Sequence, residues 1–350
     1  GIKRRRLNWS KIPFHDLPVG SDAGDHWEDI RKGLNDFATE VLAAGFNAVT
    51  LDDVAHLTDH PWYENEVRER IGYFSDRFEE LIDDLLQREL RVYVTSDVVT
   101  MTKAISRKTK GCREKQREFY FEILERFFVR FPGVEGVILR VGESDGLDVH
   151  DDLRSELHLR SPKEGNGFLK ELLPRMEAAG KTVILRTWTV GAYRLGDLIW
   201  HRGTLGKMLE GISSEKFILS MKPGDSDFFR YLPLNKAFFR YEGKKVLELQ
   251  ARPEYEGAGE LPTFLGYQYS RYAEELEGVK NLVGVSVWCQ TGGWHRFRRL
   301  AFFDEGSPWV ENNARVALGI FAHGESLATS IPEGAEFFEL LDRVIREVFY

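Results

Sequence analysis

Residues 246–257 read VLELQARPEYEG. Val246, Leu247, Leu249 and Ala251 mark a strand, yet its alternate positions carry Glu248, Gln250, Arg252 and Glu254. Successive residues of a strand point to opposite faces, so one face of this strand is polar throughout. In a closed parallel barrel one face of each strand meets the helices and the other meets the lumen. Toward the carboxyl ends of the strands the lumen becomes the active-site mouth, where polar side chains are used. The same polar face recurs at Arg6 and Asn8, Thr50 and Asp52, Thr95 and Asp97, Arg186 and Trp188, and Ser220 and Lys222. A purely structural barrel would fill these layers with branched aliphatic residues.

The rest of the chain agrees. Short runs rich in Val, Ile and Leu alternate with longer segments of helical period. Strands are expected at 4–9, 44–53, 91–97, 136–143, 181–188, 216–222, 245–251 and 282–288, and the first helix should stop at Gly45. Helices are expected at 73–90, 115–131 and 166–179, the first with Phe74, Phe78, Leu81, Ile82 and Leu85 on one face. Strictly alternating strands and helices give a parallel sheet. Eight such units in 350 residues predict a (β/α)8 TIM barrel. No glycine-rich dinucleotide fingerprint follows the first strand. With no repeat, low-complexity tract or long linker, residues 1–350 read as a single catalytic domain.

Composition excludes several classes. The apolar, aromatic and charged fractions are those of a folded globular protein. A formal charge of −8 argues against a nucleic-acid partner, which would call for a dense basic surface. Lys3–Arg6 is the one basic cluster near a terminus and reads as the start of a strand, with an interaction tail the alternative. Cys112 and Cys289 are too few and too distant for a disulfide scaffold or a zinc site, and no run reaches membrane-spanning length. No metal or other cofactor is expected, because no HxH pair, Cys/His cluster, nucleophile elbow or P-loop occurs. His150 and His158 lie in a charged stretch and are expected to be solvated. The chain opens on GIKRRR without Met, consistent with a removed leader or upstream domain, so cytoplasm and export both stay open.

Carboxylates dominate the expected mouth. Glu143 ends the fourth strand, Asp225 and Asp227 follow the sixth, and Glu254 follows the seventh. Carboxylates across a barrel mouth suit glycosidic-bond cleavage, one protonated to serve the leaving oxygen and one ionised to act on water or sugar. Trp188, Tyr255, Trp288 and Trp294 beside them are candidates to stack on sugar faces, with plain packing the other reading of each.

These residues resemble glycoside hydrolase family 67, the α-glucuronidases of xylan breakdown. LNWSKI (7–12) is similar to that family's first-strand Leu-Asn-x-Trp segment, and LAAGFNAVTLDDV (42–54) to a segment ending in Asn-Asn-Val. VILRTWT (183–189) and MKPGDSDFF (221–229) resemble two further strands. ELQARPEYEG (248–257) resembles Glu-Phe-Gln-x-Thr-Gln-Glu-Tyr-x-Gly, and WVENN (309–313) a Trp-x-Glu-x-Asn element. The resemblance implies an exo-acting, inverting hydrolase that removes a terminal uronic acid or related acidic sugar from a polysaccharide or oligosaccharide. It implies that Asp227 and Glu254 share the general-base role and that Glu143 is the general acid, with Asp145 the alternative. Arg186 and Lys222 would bind the sugar's carboxylate or hydroxyls. Asn8, Asp52, Trp188, Glu248, Arg252 and Trp294 complete the expected substrate contacts. The family's N-terminal β-domain and C-terminal helical region have no counterpart here. Two other readings stay open: a retaining glycosidase with Glu143 as acid/base and Glu254 as nucleophile, and a non-catalytic carbohydrate-binding barrel. A homo-oligomer is compatible with the sequence.

Overall fold

The computed structural model describes residues 14, 17–20, 24–141, 153–187, 198, 203–225, 232–252, 263–288, 302, 308–329 and 331–349. The expected opening strand at 4–9 lies outside them. The chain divides into two compact units, Gly1–Ala38 with Asn47–Ile218, and Thr39–Phe46 with Leu219–Tyr350. The division falls inside a strand, where no shift in composition marks it.

In the first unit the strands are β1 (Ala48–Leu51), β2 (Arg91–Val98), β4 (Gly136–Val141) and β6 (Thr182–Arg186), paired in parallel in that order. A separate antiparallel ribbon joins β3 (Thr100–Met101) to β5 (Arg154–Ser155). Each main strand follows a helix, and the helices Asn65–Gln87 and Pro162–Ala178 pack on β2 and β6. In the helix Asn65–Gln87, Val67, Ile71, Phe74, Leu81, Ile82 and Leu85 are buried, at the spacing of one helical face. The helix starts well before the expected position 73, because its first two turns expose charged residues around only two apolar anchors, Val67 and Ile71. The helix Pro162–Ala178 begins with Pro162 in its first turn, and the Ser161 hydroxyl accepts the Glu164 N–H at 3.3 Å. β4 and β6 meet where a side chain would not fit: a Cβ on Gly136 would lie 2.1 Å from the Thr182 carbonyl oxygen.

The second unit contains most of β7 (Phe217–Met221), then β8 (Lys245–Gln250) and β9 (Leu282–Trp288), again parallel neighbours. Behind them the helices Gly266–Glu275 and Pro308–His323 supply the covering layer, with Ala251, Val310 and Ala314 in one buried cluster. The helix Gly24–Ala43 ends as expected ahead of Gly45, whose φ of +93° favours glycine.

The strand order β1-β2-β4-β6-β7-β8-β9 runs in sequence order with helices between. This is the connectivity of the (β/α)8 TIM barrel, and the fold class read from the sequence holds. Seven of its strands lie among the described residues. None of the described helices is long and apolar enough to cross a membrane.

Candidate active site

Strand alternation places the polar face where the sequence puts it. In β2, Val92 and Val94 are buried, and Ser96 on the same side meets Tyr120 of the helix Arg113–Arg130, oxygen to oxygen at 2.8 Å. Thr95 and Asp97 therefore face away from the helices. In β4, Val137, Leu139 and Val141 are fully buried on one side and Arg140 projects from the other. Asp97 and Arg140 are register partners. Leu139 pairs with Leu185 in β6, so Arg140 and Arg186, each one residue further along, share the opposite face.

These groups form a buried, polar row in the first unit. Arg140 Nε donates to Asp97 Oδ1 at 2.7 Å, while both side chains are at most 4% exposed. The other Asp97 oxygen accepts the Ser155 hydroxyl, which the β3–β5 ribbon brings to it. The Asp53 carboxylate stands 3.9 Å from Arg140 Nη2 and also caps the helix Val54–Leu57, accepting the His56 N–H at 3.2 Å. Asp52, by contrast, is exposed at the end of β1, and the Thr95 hydroxyl donates to its carboxylate. Asp97 is thus engaged through both oxygens and fixes Arg140. Asp52 is open to solvent. Arg186 is 5% exposed at the last position of β6.

The second unit carries its own polar row. Leu247, Leu249 and Ala251 fill the helix side of β8, and Glu248, Gln250 and Arg252 occupy the other side, each at most 5% exposed. The Ser220 hydroxyl of β7 donates to Glu248 Oε2 at 2.9 Å. Met221 pairs with Leu247, so Lys222, also buried, follows beside Glu248. Across β8, Glu248 and Gln250 pair with Ser286 and Trp288 of β9. A buried lysine, arginine and glutamate on one strand-end face are costly unless mutually satisfied.

Of the residues named from the sequence, Arg186 and Glu248 lie within parallel strands, and Asp52, Lys222 and Arg252 lie one or two residues past them. Glu143, Asp145, Asp227, Glu254, Asn8, Trp188 and Trp294 lie outside the described residues. Sequence reasoning passed over Arg140, although the alternation test used elsewhere picks it out, opposite Val137, Leu139 and Val141. It also passed over Asp53 and Ser155. One expectation is corrected: His158 is buried, not solvated, with Nδ1 3.3 Å from Gln116 Oε1. Burial, reinforced by Arg113 and Arg117, pushes its pKa down to about 4. It sits just before the helix Pro162–Ala178, where packing against the helix Arg113–Arg130 removes it from water. His150 lies outside the described residues. Among the described residues no cluster of His, Cys, Asp and Glu forms a metal site.

No family model matches this chain, and no curated protein matches it by sequence. Among solved structures, a GH138 enzyme targeting pectin rhamnogalacturonan II superposes with a TM-score of 0.57 at 11% identity, covering 95% of this chain and 38% of its own. A GH5-4 broad specificity endoglucanase from an uncultured bacterium gives 0.48 at 11% identity, covering 81% and 84%. A GH18 chitinase from Pseudoalteromonas aurantia gives 0.46 at 11% identity, covering 81% and 95%. The last two scores carry no weight beyond a general likeness. The chain spans only 38% of the GH138 enzyme's length, and at this identity what it shares with that glycoside hydrolase is the barrel fold.

Proposed function

We propose that this chain is the catalytic barrel of an exo-acting, inverting glycoside hydrolase that releases a terminal uronic acid or related acidic sugar. The observation that carries the reading is the set of buried polar side chains at the ends of its parallel strands. Asp97, Arg140 and Arg186 form it in one unit, and Lys222, Glu248, Gln250 and Arg252 in the other. The barrel fold shared with a glycoside hydrolase agrees with it. In this reading Glu143 gives a proton to the leaving oxygen, while Asp227 and Glu254 together take one from the attacking water. Inversion needs room for that water, with acid and base about 6.5–9.5 Å apart.

The substrate's charge follows from the cations. Guanidinium binds a carboxylate through two parallel hydrogen bonds, and a buried site strengthens the pair. Arg186 is the receptor for the sugar carboxylate, and Lys222 binds carboxylate or hydroxyl oxygens. Asp52, Asn8, Glu248 and Arg252 contact sugar hydroxyls, and Trp188 and Trp294 stack on the ring faces.

Arg186→Ala should therefore lower kcat/KM on acidic glycosides by about 30- to 100-fold, the loss of a charge-assisted pair worth about 2–3 kcal/mol. Screening wild type and variant against matched aryl uronides, neutral aryl glycosides and acidic oligosaccharides measures it. Equal rates on uronides before and after the change would remove the acidic substrate from the account.

A further inference from the structure

The end of β8 is gripped from behind by two buried polar side chains. Tyr269, on the helix Gly266–Glu275, is 2% exposed, and its phenol donates to the Gln250 carbonyl. Asn313, on the helix Pro308–His323, is 0% exposed. Its amide nitrogen donates to the carbonyls of Ala251 and Thr263, each at 2.9 Å, and its Oδ1 accepts the Leu265 N–H at 2.7 Å. Both amide hydrogens and the amide oxygen are used, so this orientation alone matches every donor to an acceptor. The neighbours Val310 and Ala314 belong to an apolar cluster with Ala251.

A polar amide in such a layer is costly unless its partners stay in place. Asn313 therefore holds Ala251 to Thr263 and Leu265, the two ends of the stretch whose sequence carries Arg252 and Glu254. The backbone at Gln250 and Ala251 is held at three points: by Tyr269, by Asn313, and by the Ala251 N–H donating to the Trp288 carbonyl at 2.8 Å. Burial raises the Tyr269 pKa well above its ordinary value, which keeps the phenol a donor.

We propose that Asn313, with Tyr269, is a positioning residue that fixes the backbone at the end of β8 and thereby aims Arg252. The catalytic half of this inference rests on the glycosidase reading; the clamp itself does not. Two variants test it, Asn313→Ala, and Tyr269→Phe, which removes one hydroxyl and keeps the ring if the first fails to fold. Hydrogen exchange by mass spectrometry on the free protein should show about 10-fold faster exchange across 251–265, with β2 unchanged. On the acidic aryl glycoside the wild type turns over best, kcat per folded molecule should fall about 10²-fold with KM within about threefold, as a small misplacement of a substrate-positioning group does. A residue serving stability alone would lower Tm and leave kcat per folded molecule as it was, and that result overturns the positioning role. Unchanged exchange across 251–265 overturns the clamp. A wild type that hydrolyses no glycoside in the panel sinks the glycosidase reading and the catalytic role together, while the exchange result still decides the clamp.

Discussion

Glu143→Gln is expected to cut hydrolysis of natural glycosides by up to about 10⁴-fold while sparing much of the activity on aryl glycosides with good leaving groups. The asymmetry is the signature of a general acid. A sugar leaving group needs a proton as its bond breaks, whereas a nitrophenolate departs without one. In the proposed reading Glu143 holds the proton that the leaving oxygen takes. Steady-state kinetics on one natural and one activated substrate separate the cases. Full activity on both would move the acid elsewhere, with Asp145 next.

Asp97→Ala should be the most destabilising change in the first unit's polar row. It would leave the Arg140 guanidinium, 3% exposed, without the carboxylate that its Nε engages at 2.7 Å. Removing one partner of a buried pair costs about 3–5 kcal/mol. Asp97→Asn should cost less, because the amide oxygen still accepts from Arg140. Urea denaturation of the three proteins reads the difference. A loss below about 1 kcal/mol for the alanine variant would mean that Asp53, 3.9 Å from Nη2, takes over.

The strands were legible because their alternation is clean. In β8 the helix-facing positions are Leu247, Leu249 and Ala251, and the sequence offers no other register that buries all three. The β3–β5 ribbon was not legible, since two residues per strand are too few to show a period. Asn313 was visible within WVENN but not its task. Its partners at 251, 263 and 265 are distant in sequence, and a helical asparagine ordinarily reads as a solvated one. His158 went astray for the related reason that charged neighbours in sequence say little about the helices that close over a side chain. Arg140 was missed beside a more conspicuous carboxylate, although Asp97, its register partner, had already been singled out.

The anomeric configuration of the first-formed product tests the account most directly. Asp227 and Glu254 follow consecutive strands of the alternating pattern, and parallel neighbours lie about 4.7–4.9 Å apart. In the proposed reading the two carboxylates activate one water jointly, as a base and not as an acid–nucleophile pair. Proton NMR followed from the first minutes of hydrolysis of a uronic-acid-terminated oligosaccharide should therefore show released acidic sugar in the configuration opposite to the substrate's. Release with retained configuration, or a covalent sugar on Glu254, would contradict it.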